Sequence, residues 1–323
     1  MANQPRIVKA MEKLEFLVVQ DVYEDVETNQ YSHVFLPAAV WAEKEGCHTN
    51  TERRVNLTRN ALSPFAESKP DFWIFNQMAK RFVDRNVIHF PETAEGAFNE
   101  MRELSVGEGR TLDISGMSYD RIEAARGIQW PYSEAQALAD EARFGKPGPF
   151  DMAQRKDFLG SPRLYTDGHF QTPSGRANLI PVRFVNNNEC PEPDYPFWLN
   201  SGRVVEHFHT RTRTGKIGNC NKFSPTPYME MNPDAADELG LEHQSYVRVV
   251  SKRGDAVVMV QLTHRVPRNM VFIPFHFHDC VNRLTLGLLD PHSRQPAFKQ
   301  NAVRIEKTDQ QDAARLNLER RAF

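Results

Sequence analysis

Apolar positions recur along this chain in two different periods, and the change of period comes near residue 196. In the first 195 residues the pattern is mostly helical, broken by short continuous apolar runs. Ile7, Val8 and Met11 predict a helix over residues 5–13. Phe16-Leu17-Val18-Val19 reads as a buried, parallel strand that ends in the polar pair Gln20-Asp21. Residues 22–31 are polar and helix-compatible, and Val34-Phe35-Leu36 is a second run closed by Pro37. Pro37–Glu45 reads as a helix or helical turn stopped by Gly46, and 43–54 as a charged loop. Ser68-Lys69-Pro70-Asp71 opens a further helix with a stripe at Phe75, Met78, Ala79 and Phe82. Helices are also expected over Ala94–Leu104, Tyr119–Ala125 and Ser133–Phe144. Arg163–Phe170 is a hairpin candidate turning at Asp167-Gly168. From Pro196 the alternation has period two: Phe197–Asn200, Ser245–Ser251, Ala256–Leu262 and Val271–Phe275 read as strands. Between them Asn232 caps a short helix that starts at Pro233 and ends at Gly240.

This order implies an α/β segment followed by a β segment. The αβαβ rhythm at the start is that of a partial Rossmann-like domain over residues 1–90, with polar residues at a strand's carboxyl end, the edge where ligands bind. Residues 91–195 form a mixed helical and linker segment, in which Gly145–Pro149 and Asn186–Asn188 read as linkers. Residues 196–323 predict a compact β-barrel. The 323 residues suffice for such an arrangement. A net charge of −2 gives no argument for nucleic acid. No apolar run has membrane-spanning length. No signal-peptide pattern is seen, and the four scattered cysteines lack any C-x-x-C pair. A reducing, cytoplasmic setting is therefore expected.

The densest chemistry lies at Ser201-Gly202-Arg203-Val204-Val205-Glu206-His207-Phe208-His209-Thr210, continued by Arg211-Thr212-Arg213-Thr214-Gly215. Arginine forks, hydroxyls and glycine-flanked backbone N–H groups suit phosphate or another oxyanion. The same composition also serves a solvated basic hairpin end. On an extended strand His207 and His209 would point to one face, and His276 and His278 repeat that spacing with Cys280 following. No carboxylate of matching spacing accompanies them, so we assign no metal site.

These residues also carry a resemblance. Ser201-Gly202-Arg203, then His207-Phe208-His209-Thr210, then Thr212-Arg213-Thr214-Gly215 resembles the molybdopterin oxidoreductases, most of all those of assimilatory nitrate-reductase type. Leu36-Pro37-Ala38-Ala39, with Glu43-Lys44-Glu45-Gly46 and Asn50-x-Glu52-Arg53-Arg54, is similar to the segment after that family's second dinucleotide-binding strand. Thr172–Ala177, Asn282-x-Leu284-Thr285 and Asp290-Pro291 through Phe298-Lys299 agree as well. Two local departures are Phe208, where tryptophan is frequent, and Glu242-His243-Gln244, where a Gly-Asp turn is frequent.

The resemblance implies a double-psi β-barrel at the end of the chain and a bis-molybdopterin guanine dinucleotide cofactor with molybdenum. Gln20, Asp21, Lys44 and Asp71 would hold a nucleotide end, Asp71 receiving guanine N–H groups. Ser201 through Thr210 (Ser201, Gly202, Arg203, Val204, Val205, Glu206, His207, Phe208, His209, Thr210), with Phe275, Asn282 and Lys299, would cradle pterin and phosphates. Arg213, with Arg211, would draw nitrate in; an ion pair on the barrel rim is the other reading of these two. The implied activity is reduction of nitrate to nitrite by oxygen-atom removal. Formate dehydrogenase of the same superfamily, or a free-standing cofactor-binding module, are the alternatives. The family's 4Fe–4S cysteines and molybdenum-ligating cysteine are not in this sequence. The resemblance therefore covers the C-terminal part of the family's chain, which alone would be inactive. The implied partners are the N-terminal portion of the enzyme and an electron donor such as ferredoxin, flavodoxin or an NAD(P)H reductase.

Overall fold

The computed structural model describes residues 1–82, 90–107, 110, 112–146, 160–185, 189–277 and 280–308. The linker expectations at 147–149 and 186–188, and His278, lie outside them. The chain divides into two compact units: residues 1–19, 25–34 and 183–323, and residues 20–24 and 35–182. Among the described residues no helix is long and apolar enough to cross a membrane. The fold is mixed α/β with one closed barrel.

In the first unit six strands close on themselves: β6 (Phe197–Gly202), β7 (Tyr228–Met231), β8 (Tyr246–Val250), β9 (Asp255–Leu262), β10 (Met270–Pro274) and β11 (Asn301–Lys307). Their order around the barrel is β10-β6-β11-β8-β9-β7. The pairs β10–β6 and β7–β9 are parallel, while the other neighbours run antiparallel. Two of these strands, β7 and β11, were not anticipated. Tyr228–Met231 carries no alternation, because Met229, Glu230 and Met231 are all buried, so its sequence gives no period-two signal.

The barrel core is aliphatic. Leu199, Val247, Val249, Val258, Val260, Val271 and Ile273 are almost fully enclosed. Alternate residues of β8 point in, which is the pleat at work. Gly202 ends β6 without a side chain because a Cβ there would meet the Phe272 ring at 2.5 Å. As expected, Asn232 caps α7 (Pro233–Glu238), accepting from the Asp234 N–H at 3.1 Å. Glu189 and Arg253 form a buried two-point pair at 2.5 and 2.7 Å. Glu189 also accepts the Ala302 N–H, and Arg253 donates to the Leu284 carbonyl. The helix α1 (Gln4–Met11) packs against the turn Val281–Arg283.

The second unit has its own core, built on Val55, Phe98, Ile114, Met117, Tyr119, Ile122, Ile128 and Tyr132. The helices α3 (Ala94–Leu104), α4 (Tyr119–Ala125) and α5 (Glu134–Phe144) lie where the periodicity put them, each opened by a hydroxyl cap at Thr93, Ser118 or Ser133.

Several expectations are corrected. The run Phe16–Val19 is not a buried strand. The strand β1 is Val18–Asp21, pairs among the described residues with β2 (Val34–Pro37) alone, and leaves Phe16 63% exposed. Across this all-apolar run Val19 is buried and Leu17 half-buried, while Phe16 and Val18 stay exposed. Residues 22–31 hold one 3-10 turn, Glu27–Tyr31. Pro37–Glu45 likewise keeps one 3-10 turn, Trp41–Glu43. The charged loop at 43–54 contains β3 (Gly46–Thr49), which pairs with β4 (Arg54–Thr58), and β4 pairs in turn with β5 (Ile128–Gln129). The charged residues that flank β3 in sequence, Glu43-Lys44-Glu45 before it and Glu52-Arg53 after it, gave the stretch the look of a loop. The Asp167-Gly168 turn forms, but its flanks are not strands among the described residues.

Leu199 is 0% exposed at the centre of the barrel. Leu199→Ala should cost about 2–5 kcal/mol by lost burial plus a cavity, read as a lower denaturant midpoint at unchanged slope. A cost under about half a kcal/mol would place Leu199 outside the tightly packed core.

Candidate functional site

In the second unit, the helix α2 (Asp71–Phe82) begins at Asp71, with Pro70 offering its carbonyl to the Ile74 N–H at 3.1 Å. The carboxylate sits at the positive end of the helix. Its Oδ1 accepts from the Gln20 amide at 2.7 Å, and its Oδ2 pairs with the Lys44 ammonium. Partial burial pushes the Asp71 carboxyl up; Lys44 and Gln20 outweigh it and hold it below the ordinary range. Each oxygen has one side-chain partner, and lone-pair directions remain beyond those two. Asp21 is spent locally, accepting the Tyr23 N–H at 2.9 Å in an Asx turn. The tertiary structure thus joins three of these four residues and leaves Asp21 beside them. The apolar stripe of α2 faces outward instead of in: Phe75 is 60% and Phe82 81% exposed, while Ile74 and Asn76 are buried. Asn76 is held by its amide donating to the Pro91 carbonyl.

In the first unit, β6 stops at Gly202 and residues 203–213 are irregular. His207 and His209 therefore do not share a strand face. His207 is buried and His209 is exposed in a left-handed conformation (φ 44°). His207 Nε2 lies 2.8 Å from the Ser224 carbonyl, which can only accept, so Nε2 carries the proton. Its Nδ1 then accepts from the Thr214 hydroxyl at 3.1 Å, and that hydroxyl accepts the Phe208 N–H. His276, fully buried past the end of β10, takes the other tautomer. Its Nε2 accepts the Val204 N–H at 2.9 Å and its Nδ1 donates to the His209 carbonyl. Both nitrogens of both rings have protein partners, which leaves no lone pair for a metal ion. Among the described residues no group of His, Cys, Asp and Glu has metal-site geometry.

The loop keeps donors open. Among the described residues, the backbone N–H groups of Val205, Glu206, His207, His209 and Thr210 have no protein acceptor. Arg203 and Lys299 both lie over the Phe275 ring, at 5.8 and 5.9 Å. Lys299 also donates to the Ser201 carbonyl, and the Ser201 hydroxyl donates to the Phe298 carbonyl at 2.9 Å. Ser201, Arg203, Phe275 and Lys299 are therefore one cluster. A cleft of about 560 Å³ beside it is lined by Asn200, Arg203, Glu206, Glu230 and Arg265 among others. Asn282 lies instead in the turn packed against α1 and β9.

The two downstream arginines differ. Arg211 lies over Phe277 at 4.5 Å and donates to Asn221 Oδ1 at 2.8 Å. Asn221, on the short helix α6 (Gly218–Phe223), in turn donates to the Gly215 carbonyl. Arg213 is exposed, 5.3 Å over the Phe208 ring. The sequence reading missed Thr214, Asn221 and the loop-holding role of His276; only the repeated H-x-H spacing marked the last.

Two family models match the chain: "Molybdopterin oxidoreductase" over residues 1–81 and "Molydopterin dinucleotide binding domain" over residues 197–302. The F420-dependent formate dehydrogenase subunit alpha of Methanocaldococcus jannaschii is 35% identical over 302 residues, covering 93% of this chain and 40% of that protein. A nitrate reductase of Synechocystis is 36% identical over 311 residues, covering 94% and 41%. The chain thus spans about two fifths of the length of these relatives. Acetylene hydratase from Pelobacter acetylenicus shares the fold at a TM-score of 0.66 and 17% identity, over 95% of this chain and 42% of that one. From the two matched models, which together take in both units, and from these relatives, the chain belongs to the molybdopterin oxidoreductase family.

Proposed function

We propose that the chain is the C-terminal, cofactor-holding portion of a molybdenum-dependent nitrate reductase that binds bis-molybdopterin guanine dinucleotide. The observation that carries this is the loop after β6, with five open backbone N–H donors beside Arg203 and an exposed Arg213 on the same loop. Such donors suit the oxygens of a pyrophosphate, since amides in a turn form an anion-binding concavity. Asp71, oriented by Gln20 and Lys44, has lone pairs left for the two adjacent N–H groups of a guanine. When bound, the cofactor supplies the two-electron oxygen-transfer chemistry.

The protein groups have separable tasks. Arg203 and Lys299 place positive charge at the barrel end. Phe275 offers a ring face between them. Arg213 raises the local concentration of a small anion. Arg211, tied to Asn221 and Phe277, shapes the loop and leaves the anion role to Arg213. The two parallel pairs in an otherwise antiparallel barrel support a double-psi topology, and the β1–β2 pair supports a Rossmann-like sheet, within the segment boundaries 1–90, 91–195 and 196–323. Asn282 enters the cradle only through its turn.

Formate dehydrogenase is the second reading. Formate is also a small planar monoanion, and formate dehydrogenases stand beside nitrate reductases among the relatives at similar identity. A free-standing cofactor module is a third. Under the first two readings activity needs the portion that relatives carry beyond this chain, with its 4Fe–4S cluster; nitrate reduction also needs an electron donor such as ferredoxin, flavodoxin or an NAD(P)H reductase in the cytoplasm, whereas formate oxidation needs an electron acceptor.

Co-production with that portion should give molybdenum-loaded protein that oxidises reduced viologen with nitrate. Formate-driven viologen reduction without nitrate turnover would select the second reading, and no turnover of either the third. Arg213→Ala should raise the nitrate KM roughly tenfold, the equivalent of about 1.4 kcal/mol, with kcat little changed. An unchanged KM removes Arg213 from substrate capture. Lys44→Met should lift the Asp71 carboxyl, because burial then acts with only Gln20 and the Asp71 backbone N–H to oppose it. Carboxyl-carbon NMR titration reads the shift, and a fixed pKa would mean that Lys44 does not hold Asp71.

A further inference from the structure

We propose that His276 is a positioning residue: its neutral ring latches the Arg203–Thr210 loop, and protonation of that ring releases the loop. The imidazole is 0% exposed. It contacts both ends of one loop, accepting the N–H of Val204 and donating to the carbonyl of His209. A backbone N–H can only donate and a carbonyl can only accept, so the neutral form with its proton on Nδ1 satisfies both. No other side-chain type places a donor and an acceptor in that rigid relation. The imidazolium carries N–H groups on both nitrogens, and its Nε2–H would oppose the Val204 N–H.

The surroundings favour the neutral ring. The titratable and charged groups that face it are His207, whose ring lies 5.9 Å away, with His209 and Arg203, all from the loop. On its own segment Phe275 is tilted against it at 4.6 Å. None of these is a carboxylate that could stabilise an imidazolium. Burial is the largest cause and pushes its pKa below the ordinary 6.5; the bond to the His209 carbonyl pulls the other way, and the electrostatic influence of His207, Arg203 and His209 adds to the lowering. The sign follows: the latch is complete above the unfolded value and is lost as pH falls from there through the lowered folded value.

Both ring nitrogens face protein groups, so His276 acts through the loop without touching a ligand. What it orders is the loop that carries the open N–H groups of Val205, Glu206, His207, His209 and Thr210. The consequence for cofactor binding rests on the function proposed above, whereas the latch itself does not.

Amide hydrogen exchange by NMR on the full chain tests it, with rates corrected for intrinsic pH dependence and the His276 ring nitrogens followed in the same samples. Val204 should be protected at neutral pH and lose at least tenfold of that protection across the His276 titration. Leu199 and Val271 in the barrel should stay protected throughout. His276→Phe should lose Val204 protection at every pH. His276→Gln, which can accept but does not titrate, should retain part of it with no pH dependence. Should the phenylalanine variant not fold, the glutamine variant and the wild-type series decide. Val204 protection that ignores the His276 titration, or that survives His276→Phe, overturns the latch. Guanosine diphosphate is the cofactor probe in calorimetry. Weaker binding in His276→Gln than in wild type links latch to ligand, equal binding overturns that link, and no binding by wild type sinks the cofactor reading of the loop while exchange still decides the latch.

Discussion

Within the closed barrel β6 and β10 lie side by side and run in the same direction, and the loop chemistry depends on that pairing. Ile273 is level with Ser201 and Pro274 with Gly202, so the two strands end together. Phe275 continues the ladder by donating its N–H to the Gly202 carbonyl at 3.0 Å. The next residue, His276, is thereby delivered beneath the first residues of the loop that leaves β6. An antiparallel pair would have put the end of one strand against the start of the other, and no side chain after β10 could have reached Val204. The aliphatic interior behind these strands holds their register, because a slip of one residue would turn Leu199 and Val271 toward water.

The loop itself is costly to order. It has little regular structure, and several of its backbone donors face no acceptor among the described residues. Two buried histidines of opposite tautomer compensate, one fixed by Ser224 and Thr214 and the other by Val204 and His209. Thr214 serves twice, donating to an imidazole and accepting a backbone N–H. This division of labour separates the groups that hold the loop from those it presents. Arg211 belongs with the first set through Asn221 and Phe277, and Arg213 with the second. In the other unit Asp71 follows the same logic: Gln20 and Lys44 take one direction on each oxygen, so the carboxylate is aimed before any further donor arrives.

The sequence by itself determined the helices whose caps and periods coincide, the four alternating barrel strands, and the motif residues around Ser201 and Lys299. Local physics suffices there, since a capped helix or a pleated strand is recognisable from its own residues. It misled where a neighbour decides. The run at Phe16 looked buried because it is apolar, but Phe16 and Val18 stay exposed. The stripe at Phe75 and Phe82 has helical period, yet it stays exposed, and the buried residues of that helix are Ile74 and Asn76 on either side of it. The short strands at 46–49 and 54–58 were hidden by the charged residues between and before them, and the strand at 228–231 had no alternation to read.

Only the tertiary structure decided which polar residues meet. His207 and His276 are 69 positions apart in sequence, and their rings lie 5.9 Å apart in the fold. The H-x-H spacing suggested a shared face, and the chain bends at Gly202 before that face can form. Tautomers, free lone pairs and open backbone donors are properties of partners, and a sequence does not state who the partners are. Residue types and spacing fixed what chemistry this chain could offer; barrel closure fixed which of those groups stay open to a ligand and which are used up holding the loop.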